Sequence, residues 1–237
     1  MLLTARRLLA EFLGTAFLVI AVVGSGIAAA RLSRGDAGLE LLENAAATAA
    51  ALVAIILALG PVSGAHLNPV VTLVDRVFGG LGTGEAAGYW AAQVTGGVAG
   101  TVLANLMFSL PAVELSRHAR TGGGVWLAEA VATFGLVLVI FGVARSGRAG
   151  LAPFAVGAYI GGAYFFTAST SFANPAVTIA RMLSDTFTGI SPASVPGFVG
   201  FQLIGGVAAV AAIRVLYPDA AGAAPRVVLP HPTEEAA

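Results

Sequence analysis

The chain has 237 residues, 57% hydrophobic and only 10% charged, against about 25% charged in an ordinary soluble domain. So few charges cannot cover a water-facing surface, and the composition is that of an integral membrane protein. A formal net charge of zero offers no electrostatic footprint for nucleic acid, the absence of cysteine excludes disulfides and thiolate chemistry, and His66, His118 and His231 lack metal-ligand spacing.

Crossing a bilayer core as a helix takes about 20 apolar residues. Six stretches have about that length: 8–30, 42–60, 85–108, 125–144, 151–168 and 195–217. Arg6 and Arg7 ahead of the first imitate a signal peptide, but the apolar run is too long for one and more spans follow. Two further apolar segments, 62–78 and 169–183, are too short to span, and each contains Asn-Pro. They are predicted to be re-entrant half-helices, which are tolerated at membrane depth where they pack in protein or line a water-filled cavity. Gly96–Gly100 and Gly157–Gly161 have the small-xxx-small spacing that lets membrane helices approach closely. The polar tail 218–237 is predicted to be disordered.

The chain also repeats itself. Asn68-Pro69-Val70-Val71-Thr72-Leu73 is echoed by Asn174-Pro175-Ala176-Val177-Thr178-Ile179, and Ala10-Glu11 with Thr15 by Ala128-Glu129 with Thr133. Each copy, about 8–108 and 125–217, holds three spans and a half-helix. Three crossings end on the opposite side, so the second copy is inverted, and the solute path of such a repeat lies near the bilayer midplane. With six spans both termini share a side. Placing them in the cytoplasm puts Arg6, Arg7, Arg76, Arg145, Arg148, Arg214 and Arg226 inside, and Arg31, Arg34, Arg117, Arg120 and Arg181 outside.

Asn-Pro is a helix start: the Asn side-chain oxygen caps an exposed backbone N–H, and Pro at the first helical position loses no bond. Two such starts meeting at the midplane leave each Asn NH2 to donate to a passing hydroxyl. They also point two positive helix ends at each other.

Ser63-Gly64-Ala65-His66-Leu67-Asn68-Pro69-Val70, with the intact second box Asn174-Pro175-Ala176, resembles the paired boxes of the aquaporin and aquaglyceroporin family. The resemblance runs over about residues 8–217. It implies an all-α membrane protein, with six transmembrane helices and two half-helices in a single channel domain. It also implies a homotetramer in the plasma (inner) membrane, exclusion of protons and cations by the half-helix ends, and no cofactor or enzymatic chemistry. Val70 departs from the usual Ala. Glu11 and Glu129, read as carboxylates deep in apolar spans, are implied to brace the facing re-entrant loops; a proton-relay role is the alternative for them. His66 is expected at the inner pore mouth, and Arg181, on the face of Val177 one turn on, at the outer vestibule.

The family usually carries Arg directly after the second box, where this chain has Val177. Ungapped spacing carries the other filter positions to Thr48, Gly162 and Ser171, with Phe172 entering if the second loop shifts by one. Such a filter is small-sided and uncharged, with no aromatic ring to narrow it and no guanidinium to fill it. It favours compact neutral solutes: urea, glycerol, metalloid hydroxides such as arsenous acid, and water. The stretch Ser169–Val177 resembles bacterial members associated with arsenic resistance. An ion-coupled transporter built on the same inverted repeat, a water-selective pore and a closed structural protein stay open as alternatives at this point.

Overall fold

The computed structural model describes residues 2–218, so the tail beyond Pro218, with Arg226 and His231, lies outside the described residues. The elements are α1 (Leu2–Leu32), α2 (Ala37–Ser63), α3 (Pro69–Val77), α4 (Thr83–Met107), α5 (Gly123–Arg145), α6 (Ala152–Phe166), α7 (Pro175–Arg181) and α8 (Val195–Leu216), with one-turn 3-10 segments before α6 and α8. Six are long. Five of these, counting the 3-10 turns that lead into α6 and α8, are long and apolar enough to cross a membrane. The sixth, α4, has 25 residues but is more polar, because Gln93, Thr101 and Asn105 point into the protein and are buried. The two half-helices are shorter than predicted, since 64–68 and 167–174 are non-helical and carry the chain inward before each helix begins.

The two repeats pack alike. α1 lies on α2 and α4, and α5 lies on α6 and α8; α2 against α6 joins the halves. Each half-helix also reaches across, α7 to α4 and α3 to α8. Gly96 and Gly100 explain the closeness of α1 and α4: a Cβ at either would collide with the backbone of Phe12 or Ala16. In a bilayer no hydrophobic effect drives helices together, so such backbone-level packing supplies much of the attraction. The ends of the pair are tied as well. Arg7 Nη1 donates to Glu85 at 2.7 Å, and Arg31 Nη2 donates to the Phe108 carbonyl at 2.7 Å. Large apolar side chains such as Phe17, Leu103, Leu127, Phe166 and Val207 remain on the outside, as lipid-facing surface requires.

The segment 109–122 leads from α4 to α5 across the end of the molecule opposite the chain termini. Backbone bonds from Glu114 N to Leu183 O, Ser116 N to Met182 O and Ser191 N to His118 O fasten it to the chain after α7. Arg117 adds a fork onto Asp185, with Nε and Nη2 both 2.7 Å from Oδ2. The Arg117 backbone N–H, which donates to Asp185 Oδ1 at 2.9 Å, and this fork hold the Asp185 carboxyl below its ordinary pKa.

Candidate pore

Both half-helices start as the Asn-Pro pairs dictate. Asn68 and Asn174 are N-caps with extended backbone; Asn68 Oδ1 accepts from Val70 N at 2.9 Å, and Asn174 Oδ1 from Ala176 N at 3.0 Å. Pro69 and Pro175 follow at the first helical position. The amides are not wholly free, as was expected. Asn68 Nδ2 donates to Ala173 O and Asn174 Nδ2 to Leu67 O, each at 2.7 Å, so the two loops are laced together across the pseudo-symmetry axis. An NH2 group has two hydrogens, and one on each Asn is left for the cavity that both residues line.

The loops ahead of the caps are strained. Ala65 and Leu67 in the first, and Thr170, Ser171 and Ala173 in the second, take positive φ near 50–60°. Left-handed non-glycine residues cost about 1–3 kcal/mol each and persist only where the surroundings impose them. The buried carboxylates do this. Glu11 accepts from Ser63 Oγ (2.7 Å), His66 N (2.9 Å), Leu67 N (2.8 Å) and Gln93 Nε2 (2.7 Å). Glu129 accepts from Phe172 N and Ala173 N, both at 2.9 Å, and from Gln202 Nε2. Gln93 and Gln202 each also bond the half-helix threonine, Thr72 at 3.0 Å and Thr178 at 2.9 Å.

Val70 is fully buried and packs on α8, where a Cβ on Gly206 would lie 2.5 Å from Val70 Cγ1. The extra bulk in the first box is thus absorbed by a missing side chain 136 positions later (206 − 70). Gly206→Ala is expected to lower stability by about 1–3 kcal/mol through overpacking, and Val70→Ala in the same chain to restore most of it. Thermal unfolding of the four variants in detergent measures the coupling; additive losses would show that the two sites do not meet.

A cavity runs between the repeats. Leu52, Ile56, Leu136, Ile140, Val156 and Ile160 give it an aliphatic wall, while Asn68, Asn174 and His66 bring polar groups to it. His66 Nδ1 lies 3.1 Å from Thr72 Oγ1, and Nε2 lies 3.8 Å from Asp75 Oδ2. Asp75 is a carboxylate that sequence reasoning missed: it is fully buried, on the face of α3 that carries Thr72. The signal was its three-residue spacing from that threonine.

At the far end of the cavity stand Thr48, Tyr164, Ser171, Phe172, Val177 and Arg181. Thr48 Oγ1 and Tyr164 OH are 3.2 Å apart, and the Arg181 guanidinium lies 3.4 Å from the Phe172 ring centroid. Three expectations are corrected here. Gly162 is exposed on the other side of α6 and lines nothing; Val156, Ile160 and Tyr164, at four-residue spacing, form the inner face. Ring-free lining fails, since both Tyr164 and Phe172 contribute. Lining without a guanidinium holds only at position 177, because Arg181 reaches the same space from one turn further on. Arg181 is 2% exposed, buried at the outer end of the cavity.

Residues 2–172 match the family described as major intrinsic protein. The chain is 52% identical over 215 residues to the aquaglyceroporin AqpS of Rhizobium meliloti (strain 1021), with 91% of each chain covered. It is 35% identical over 189 residues to the probable aquaporin TIP1-1 of Oryza sativa subsp. japonica, with 74% of each covered. The X-ray structure of the aquaglyceroporin from Plasmodium falciparum superposes with a TM-score of 0.72 at 21% identity, over 92% of this chain and 98% of that one, a likeness of fold.

Proposed function

We propose, from the premise that this chain belongs to the major intrinsic protein family, that its cargo extends beyond glycerol to other compact polyhydroxy solutes, undissociated metalloid hydroxides such as arsenous acid among them. The chain is a passive, multi-pass membrane channel for small uncharged solutes and not an enzyme. The observation that carries the finer reading is Val177. Its short apolar side chain faces the cavity at the position where the family usually brings an Arg. Thr48, Ser171 and Tyr164 bring hydroxyls to the outer end of a cavity whose wall is otherwise largely aliphatic. A solute with several hydroxyls on a compact centre meets hydrogen-bond partners at that end and an apolar lining beyond it.

In this reading Asn68 and Asn174 orient the solute at the midplane, and Thr48, Ser171, Val177 and Arg181 select at the outer end, with Tyr164 and Phe172 in the place sequence spacing gave to Gly162. Glu11 and Glu129 are structural. Each already accepts three or four hydrogen bonds, which leaves little for a proton relay. The reading further places the chain as a homotetramer in the plasma (inner) membrane, with both ends cytoplasmic.

Stopped-flow swelling of proteoliposomes with water, glycerol and urea, together with arsenous acid uptake, tests it. Non-saturating flux of glycerol, urea and arsenous acid, indifferent to a proton gradient, is the expected result. A pore that passes water or glycerol but holds arsenous acid and urea at the level of empty liposomes would overturn the cargo, and flux that follows the proton gradient would overturn passive conduction.

A further inference from the structure

The Phe172 ring, which lines the outer end of the cavity, is flanked by more positive charge than a neutral solute needs. Two guanidinium groups converge on the Phe172 ring, Arg181 at 3.4 Å from its centroid and Arg120 at 5.2 Å. Arg181 comes from the end of α7; Arg120 comes from the segment 109–122 that crosses this face. Neither forms an ion pair among the described residues. Arg181 Nε donates to the Thr188 carbonyl, and Arg120 donates to the carbonyls of Gly189 and Phe187. These bonds orient the groups and neutralise nothing. Glu129, the carboxylate beneath the loop, is held by Phe172 N, Ala173 N and Gln202, and its single charge is shared between the two guanidinium groups.

A second observation lies beside Arg181, which lines the cavity together with Ser171. Ser171 Oγ is buried there and has no hydrogen-bond partner among the described residues. Two cations that share one carboxylate in low dielectric repel each other, and their desolvation is only partly compensated. A small oxyanion supplies the second counter-charge and gives the Ser171 hydroxyl its missing partner.

We propose that Arg120, Arg181 and Ser171 form a binding site for a small singly charged oxyanion at the outer mouth, whose occupancy competes with passage of neutral solutes. The competition rests on this cavity being the solute path; the binding does not. Nitrate is the probe, because it is planar, matches a guanidinium in size and takes up no proton near neutrality. Gluconate, too large for the site, keeps ionic strength constant. Two readouts are taken: urea flux in proteoliposomes, and thermal unfolding in detergent, where a ligand of the folded state raises Tm.

Nitrate is expected to slow urea flux and raise Tm relative to gluconate. In Arg181→Gln and Arg120→Gln the half-effective nitrate concentration should rise about tenfold, equivalent to about 1.4 kcal/mol, and Arg181→Lys should retain part of the response. Each variant is compared with itself in gluconate. If Arg181→Gln does not fold, Arg120→Gln and Arg181→Lys carry the test. Equal effects of nitrate and gluconate, or a wild-type nitrate response in both Gln variants, would overturn the site. A nitrate-dependent Tm shift that the Gln variants lose, with no urea flux in any chain, would keep the site and overturn the solute path.

Discussion

Glu129→Ala is expected to give a channel that unfolds at far lower temperature than the wild type and conducts little, because the second re-entrant loop loses its anchor. The carboxylate accepts from Phe172 N, Ala173 N and Gln202 Nε2 in a fully buried setting. Each donor left unsatisfied there costs about 1–3 kcal/mol. Three of them amount to about 3–9 kcal/mol, set against the roughly 5–15 kcal/mol that keeps a typical domain folded. The same loop holds Thr170, Ser171 and Ala173 at positive φ, and with the anchor gone that strain relaxes by moving Asn174. Glu129→Gln keeps one acceptor oxygen but aims an NH2 at donors, so it should fall between the two. Thermal unfolding in detergent, with flux measured per reconstituted channel, checks the series. A Glu129→Ala protein with wild-type melting and flux would refute the bracing role, and by symmetry that of Glu11.

The second large effect is expected at position 177. Val177→Arg should cut the flux of glycerol and urea by roughly tenfold or more, the equivalent of about 1.4 kcal/mol of added barrier, and reduce water flux less. The new side chain would enter the cavity one turn before Arg181 and beside Thr48 and Tyr164, all of which line the same space. It narrows the passage, and it sets a guanidinium four residues from another on one helix face, where like charges repel. The size-ranked pattern is the diagnostic part: an equal loss for water, urea and glycerol would point to misfolding. Unchanged urea flux would mean that the cavity at Val177 is not the path.

Much of this was legible in the sequence because the signals are local or repeated. Apolar length marks spans without reference to neighbours. Asn-Pro carries its own capping geometry, so α3 and α7 start where the dipeptides stand. The repeat pairs Glu11 with Glu129, and the contacts match in His66 N and Leu67 N against Phe172 N and Ala173 N, and in Gln93 against Gln202.

Sequence spacing failed where the answer depends on rotation about an axis. Gly162 was reached by counting back from Asn174 through a loop whose positive-φ residues do not keep helical register. Within α6 each residue turns the chain by about 100°, so Gly162 lies nearly opposite the Ile160 and Tyr164 face that meets the cavity. Asp75 was missed because its burial comes from long-range packing, which its position in the chain does not reveal.

By itself, then, the sequence determined the membrane class, the repeated Asn-Pro and Ala-Glu motifs, both half-helix starts and the two buried carboxylates, because each is written in residues that act on their own neighbourhood. At the outer mouth, tertiary structure alone decided the place of Tyr164 and the approach of Arg120 and Arg181 to Phe172. Arg120 and Phe172 are 52 positions apart (172 − 120) and Thr48 and Tyr164 are 116 apart. Which side chains share that space follows from how α2, α6, α7 and the segment 109–122 rotate against one another. Close packing across the whole bundle sets those rotations, and no single stretch of chain contains them.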